Sequence, residues 1–397
     1  MDIMPRKGGV GVRHVFIIGS RGLPAQYGGF ETFVEALVSH QKNTNIRYHV
    51  ACLSRDKGAQ AFDYKGARCF PVYVPKLGPA SVIAYDMLAL KQAFAYVQAE
   101  GIEAPIFYIL GNTIGGFIGP FAKKIRKLGG QLWVNPDGLE WRRTKWSKPV
   151  RAYLKYAEKG MAKSCDLVIS DNKGIERYIQ EQYPASKTCF IAYGTEANFP
   201  QLSEDDERVR DFYQKAQTKE KDYYLMVSRF VPENNYETII REFMASRSQR
   251  ALVIICNQAE PGQAFYELLR ERTGFDRDPR VRFVGTVYDR ELLTYIRQQA
   301  FAYLHGHEVG GTNPGLLEAL ASTDLNLILK VSFNQEVALD TARYWTKTAG
   351  DLSRLIDQVD KETDFKELGQ SAKAHMQDQY SWDKIVQDYE ELIAHEG

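Results

Sequence analysis

The sequence predicts an α/β protein built from two doubly wound, parallel sheets. Short apolar runs alternate with segments of helical period through most of the chain. The alternation stops in a charged, poorly apolar stretch at about 201–221 and then restarts. Each half also has one glycine-rich loop between an apolar run and a helical segment. At 397 residues the chain is long enough for two or three domains with cores of their own.

In the first half, residues 14–18 (His-Val-Phe-Ile-Ile) read as a buried strand. The glycine loop from Gly19 to Glu31 follows, and then a helix over about 32–40 with Phe33, Val34 and Leu37 on one face. This loop does not match G-x-G-x-x-G, so it is no dinucleotide fingerprint. Further strands are expected at 48–53, 68–74, 106–110, 131–134 and 167–170, with helices between them. In the second half, strands are expected at 223–228, 251–256, 281–284, 301–304 and 326–330, and helices at 235–247, 263–273 and 289–299. The 201–221 stretch reads as a surface segment between domains. The tail at 382–393 reads as an amphipathic helix that packs back on the first domain. The expected division is 1–200, 201–380 and a closing helix at 381–397, with two facing domains and a central cleft.

One stretch points to chemistry. An apolar strand ends at His305-Gly-His307-Glu308, and Gly310, Gly311, Thr312, Asn313 and Pro314 lead into a helix bearing Leu316, Leu317, Glu318 and Leu320. Glycines let backbone approach a ligand, and the free N–H groups of a helix start favour an anion such as phosphate. Glu318, about one turn into the helix, is placed for a ribose hydroxyl. Together these features describe a nucleotide site. Arg229 ends a strand and can grip two phosphate oxygens with its guanidinium. Gly28 and Gly29 bring backbone N–H groups towards the same ligand from the first domain. Asp137 follows a strand between Pro136 and Gly138, and reads either as a turn former or as a carboxylate that activates a hydroxyl or supports a cationic centre. His305 and His307 read either as hydrogen-bonding groups for the ligand or as buried structural histidines.

Composition excludes several classes. Apolar residues make up 44% and charged residues 25%, the proportions of an ordinary globular chain. No apolar run is long enough to span a membrane, and the N-terminus does not read as a secretory signal. The five cysteines are scattered with no C-x-x-C pair, as reduced thiols would be. Residues 1–200 hold 27 Lys and Arg against 16 Asp and Glu, so the first half is basic although the whole chain is nearly neutral. Most of that excess lies between 120 and 165, interleaved with Trp141, Trp146, Tyr153 and Tyr156. Basic residues mixed with aromatic ones suit an anionic membrane surface, and no nucleic-acid motif accompanies them. Asp276-Arg277-Asp278 spells D-x-D but reads as a solvated turn, so no metal is expected.

Several long motifs, in order, resemble the retaining glycosyltransferases of family 4. Ser228-Arg229-Phe-Val-Pro-Glu-Asn234-Asn235 is similar to that family's G-R-L-x-x-x-K-(N/G) segment, Gly310 to Glu318 resembles its E-x7-E motif, and Phe333-Asn-Gln-Glu-Val337 resembles the loop that follows. Gly19-Ser-Arg-Gly-Leu-Pro-Ala, Tyr27-Gly-Gly-Phe-Glu-Thr32, Asn135-Pro-Asp-Gly-Leu-Glu-Trp141, Lys145-Trp-Ser147 and His305-Gly-His look like the streptococcal β-1,4-rhamnosyltransferases. The resemblance implies the GT-B architecture. It also implies transfer of L-rhamnose from dTDP-β-L-rhamnose to the 4-hydroxyl of a glucose or N-acetylglucosamine on a polyprenyl-diphosphate lipid, starting a cell-wall or capsular polysaccharide. The enzyme would sit in the cytoplasm, peripherally on the inner face of the bacterial membrane, and use no cofactor.

On this resemblance, Arg229, Asn234, His307, Gly310, Gly311, Thr312, Asn313 and Glu318 bind the donor, with Gly28 and Gly29 from the first domain. Trp141, Arg142, Arg143, Lys145 and Trp146 face the acceptor and the membrane. Two positions depart from the family pattern: Asn234 stands where the diphosphate lysine is expected, and Gly310 where the first acid of E-x7-E is expected. Another nucleotide sugar, or a non-catalytic nucleotide-sugar binding module, are the alternative readings.

Overall fold

The structure is a computed structural model that describes residues 11–396 apart from 27, 76–77, 79–80, 144–145, 197–201, 260–261 and 310. The chain divides into two compact units, Met1–Tyr193 with Trp382–Gly397, and Gly194–Ser381.

The first unit opens with β1 (Arg13–Ile18), α1 (Gly29–Ser39) and β2 (Ile46–Ser54). A short hairpin follows, β3 (Phe62–Tyr64) and β4 (Ala67–Tyr73). Its two-residue turn is Lys65-Gly66, both with positive φ, the geometry that matches strand twist. The chain continues through α2 (Ser81–Ala99), β5 (Ile106–Leu110), α3 (Gly119–Lys127), β6 (Gln131–Asn135), α4 (Lys148–Ser164), β7 (Leu167–Ser170), α5 (Lys173–Gln182) and β8 (Thr188–Phe190). Among the described residues these strands form one sheet in the order β3-β4-β2-β1-β5-β6-β7-β8, parallel except for the edge strand β3. All five residues of β5 are buried, as a central parallel strand covered on both faces requires.

The second unit starts with α6 (Glu207–Ala216), inside the stretch expected to be a surface segment. Its charges hide an apolar stripe. Val209, Phe212 and Ala216 are buried at helical spacing, and Asp206 caps the start by accepting from Arg208 N. Then come β9 (Tyr223–Val227), α7 (Tyr236–Ala245), β10 (Ala251–Ile255), α8 (Gly262–Thr273), β11 (Val281–Gly285), α9 (Arg290–Gln298), β12 (Ala302–His305), α10 (Pro314–Ser322) and β13 (Asn326–Leu329). The segment expected to be a loop at 333–337 is a helix, α11 (Ser332–Ala338), and beyond it lie β14 (Arg343–Trp345), α12 (Asp351–Val359) and α13 (Lys366–Tyr380). The strands form a parallel sheet in the order β11-β10-β9-β12-β13-β14. Its two faces are covered by separate clusters, one around Tyr224, Phe243 and Trp345, the other around Phe212, Tyr223 and Tyr303.

The last helix, α14 (Trp382–Glu396), belongs to the first unit. It buries Trp382, Ile385, Val386, Tyr389 and Ile393. The Tyr389 hydroxyl lies 2.8 Å from that of Tyr108 on β5, and Glu390 accepts from the backbone of Lys42 and Asn43 just after α1.

Both sheets reverse strand order once at a central pair: β1 and β5 in the first unit, β9 and β12 in the second. Loops leaving the carboxyl ends of such a pair diverge and leave a crevice for ligands. The loops after β1, β9 and β12 carry residues singled out in the sequence, and those after β5 complete the first crevice.

Candidate functional site

In the second unit the loop after β9 holds Ser228 and Arg229, and the loop after β12 runs from Gly306 to Asn313. Hydrogen bonds tie the two together. Asn235, in a left-handed conformation, donates from Nδ2 to Gly306 O at 2.7 Å. Asn234 donates from Nδ2 to Arg229 O at 2.6 Å, and its Oδ1 lies 2.8 Å from His307 Nδ1. A Cβ at Gly306 would sit 2.4 Å from Asn234 O, so only glycine allows this approach. Tyr303 on β12 donates to Val227 O at 2.8 Å, closing the strand pair below the loops.

The expected donor residues fare differently within this frame. Arg229 is exposed, its guanidinium projecting from loops whose backbones are fixed. Asn234 is corrected: it is buried, and both ends of its carboxamide hold the loops, so it is no substitute for a phosphate-binding lysine. Asn313 is corrected in part. Its Oδ1 caps α10 by accepting from Gly315 N and Leu316 N, so the side-chain oxygen and those two amides serve the helix itself. Thr312 is buried beside it and Gly311 is half-buried, while Gly310 lies outside the described residues. Glu308 pairs with Lys347 at 2.5 Å.

His307 is half-buried, whereas His305 is buried completely. Burial, followed by the charge of His307, lowers the imidazole pKa of His305 to about 3, so it stays neutral at ordinary pH. Glu318 is half-exposed on α10 and pairs with a residue that sequence reading missed: Arg297 of α9, at 2.5 Å. Its signal was a cation one turn after Leu293, beside Ile296, on the apolar face of α9.

In the first unit, Gly28 has φ 131° and caps α1. A Cβ there would meet Glu31 Oε2 at 1.9 Å, and Glu31 Oε1 accepts from Arg21 N at 2.7 Å, so this acid folds the loop back on itself. Gly29 has open space where a Cβ would stand. Asp137 adopts φ 59°, held by donation from its N–H to Asn135 Oδ1, and its side chain is half-buried.

The segment after Asp137 is a scaffold. Trp141 donates its indole N–H to Glu158 at 3.1 Å, and Trp146 donates to Glu140 at 2.8 Å. Arg143 pairs with Glu140, and Arg151 donates to Trp141 O. Buried Glu158 also accepts from Tyr178, Tyr183 and Lys155. The Lys155 ammonium lies over the rings of Trp141, Tyr178 and Tyr183. Trp141 and Trp146, expected to face the acceptor and the membrane, thus spend their indole N–H groups inside this unit, and Arg143 Nε faces Glu140. Arg142 is exposed, over the Trp141 ring, and Lys145 lies outside the described residues.

The exposed aromatic residues nearby are Phe117 and Tyr156. They are brought together by glycine-on-glycine packing. A Cβ at Gly115 would meet Ala157 O at 1.8 Å, and one at Gly160 would meet Gly115 O at 2.3 Å. Around them α3 and α4 present exposed Lys123, Lys124, Lys127, Lys159 and Lys163.

Asp86 on α2 is a second acid that sequence reading missed. It is buried at the β1–β5 crevice and accepts from Thr113 Oγ1 at 3.1 Å, and burial raises its pKa to about 7. In the D-x-D sequence, Asp278 is bound to Arg280 at 2.7 Å. Among the described residues no cluster of three or more His, Cys, Asp or Glu could hold a metal ion, and no helix is long and apolar enough to cross a membrane.

Residues 12–196 match a family described as a domain of unknown function (DUF1972). No curated protein sequence matches the chain. Among solved structures, sucrose-phosphate synthase from Thermosynechococcus elongatus superposes with a TM-score of 0.77 at 17% identity, covering 96% of this chain and 98% of that one. The Anabaena protein HepE in complex with UDP and glucose gives 0.71 at 14% identity, over 96% and 99%. An α,α-trehalose-phosphate synthase from Burkholderia xenovorans gives 0.70 at 12% identity, over 96% and 100%. Two parallel-sheet, Rossmann-like units make this the fold of the GT-B glycosyltransferases.

Proposed function

We propose that the protein is a retaining glycosyltransferase that moves L-rhamnose from dTDP-β-L-rhamnose to the 4-hydroxyl of a glucose or N-acetylglucosamine on a polyprenyl-diphosphate lipid. The observation that carries a nucleotide-sugar donor is the β9–β12 crevice, where exposed Arg229 stands on loops tied together by hydrogen bonds, beside the segment that leads into the N-terminus of α10. HepE, of the same fold, was solved with UDP and glucose. The choice of rhamnose and of a lipid acceptor rests on the sequence motifs.

In this reading Arg229 neutralises the charge that grows on the departing diphosphate, and the start of α10 adds its dipole. Glu318 holds a pentose hydroxyl. Asp137, fixed in a strained turn, serves the acceptor hydroxyl, as general base or as the group that orients it while the leaving phosphate takes the proton. The reaction needs no metal. Phe117 and Tyr156, among the lysines of α3 and α4, rest on an anionic membrane and bring the lipid acceptor within reach.

The test is transfer from dTDP-L-rhamnose to synthetic lipid-diphosphate glucose and N-acetylglucosamine, with and without chelator. Product from one acceptor in the presence of chelator is expected. Tight dTDP binding without product from either acceptor would replace this reading with another donor sugar or a binding module.

A further inference from the structure

The Arg297–Glu318 pair has an unusual asymmetry. The arginine side chain is 6% exposed and the glutamate 44%. Arg297 Nη2 lies 2.5 Å from Glu318 Oε2, and Arg297 Nε is buried with no partner among the described residues. The two helices are clipped together at the same point, because Thr323, the C-cap of α10, donates from Oγ1 to Arg297 O at 3.0 Å. Burying a guanidinium for one carboxylate is a poor source of stability, since desolvation offsets the attraction. It is an effective way to hold a half-exposed side chain in one rotamer. A glutamate on a helix surface otherwise samples many, and a ligand that needs one of them bears the cost of fixing it.

We propose that Arg297 is a positioning residue that fixes Glu318 to read a single hydroxyl of the donor's pentose. With Oε2 held by the guanidinium, Oε1 is the oxygen presented to the ligand. One acceptor oxygen suits a deoxyribose, which offers one free hydroxyl, and it asks nothing of a second. Arg297 itself stays below the surface and touches no ligand. This rests on the donor-site reading above and goes beyond it by naming what orients Glu318.

Calorimetric binding of dTDP to the whole chain tests the proposal, using wild type, Arg297→Met, Glu318→Gln and the double variant, with 3′-deoxythymidine diphosphate as a second ligand. Each single variant should bind dTDP about tenfold more weakly, the loss of one charge-assisted hydrogen bond. The double variant should lose no more than either single one, because both changes remove the same contact. Wild type should discriminate against the 3′-deoxy ligand by a similar factor, and Arg297→Met should not. Glu318→Gln leaves the buried guanidinium without its counter-charge, whereas the double variant carries no unpaired buried charge, so it folds even if Glu318→Gln does not. Multiplying losses, or an Arg297→Met affinity equal to wild type, would overturn the positioning role. A wild-type chain that binds neither dTDP nor UDP would overturn the donor-site reading itself.

Discussion

Asn234 Oδ1 lies 2.8 Å from His307 Nδ1 while the amide end of the same side chain donates to Arg229 O. One buried residue thus connects the loop carrying the candidate phosphate cation to the loop that leads into α10. In the family 4 transferases that the sequence resembles, a lysine is expected at this position, but here the residue does structural work.

Two substitutions at Asn234 follow from this. Asn234→Ala leaves Arg229 O and His307 Nδ1 without that partner and should cost about 1–3 kcal/mol. Asn234→Lys should restore no phosphate binding, because the position is buried and an ammonium there loses both hydrogen bonds that tie the loops. Both should weaken dTDP binding, measured by calorimetry, and lower the unfolding midpoint in urea. An Asn234→Lys chain that binds dTDP more tightly than wild type would refute this account.

Arg229→Ala should behave oppositely. Its side chain is exposed, so stability should stay within about 0.5 kcal/mol of wild type. Turnover should fall at least about 100-fold if the guanidinium meets transition-state charge. Melting temperature and transfer rate measured on the same preparation separate the two effects.

Much of the fold was legible because central parallel strands are short and apolar on both faces, as Ile106–Leu110 and Ala251–Ile255 show. The helix α6 was hidden because its three buried residues sit among charges. In the candidate site, the strand-end position of Arg229 and the helix start at Pro314 were legible from the sequence pattern. Asn234, Trp141 and Trp146 have the residue types of ligand or membrane contacts, but what their polar atoms face is decided by partners distant in sequence or on other elements. Arg297, Asp86 and Glu158 announce themselves only as charges in apolar register, and a sequence does not say which neighbour satisfies them.

Glu158 is the centre of the first unit's scaffold. It accepts from Tyr178 at 2.6 Å, from Tyr183 at 2.8 Å and from Lys155 at 2.9 Å, beneath Trp141. Glu158→Ala strips four donors of their acceptor and should cost about 3 kcal/mol. Trp141 fluorescence should become more solvent-exposed. Lys155→Met removes only the half-exposed cation and should cost less. Equal losses would mean that the aromatic cage, and not the carboxylate, holds the segment.

Asp86 gives a pH dependence whose sign is fixed by its environment. Burial raises its pKa to about 7, against 3.8 for an ordinary aspartate. Between about pH 4 and 7 the folded chain keeps a proton that the unfolded chain has released. Stability from this group is therefore complete below the unfolded value and is lost as pH rises through the folded one. His49 and His305 run the other way, since burial lowers both to about 3 and the unfolded imidazoles take up protons below about 6.5. A wild-type profile alone mixes the three. Asp86→Asn separates them, because the amide is neutral at every pH and can still accept from Thr113. The advantage of the variant over wild type should grow from pH 4 to 7, by up to about 4 kcal/mol, and stay level above. Hydrogen-exchange protection of the β5 amides, compared between the two chains at matched pH, reads that difference locally. Parallel profiles would mean that Asp86 ionises in the folded chain without penalty, and that water reaches the β1–β5 crevice.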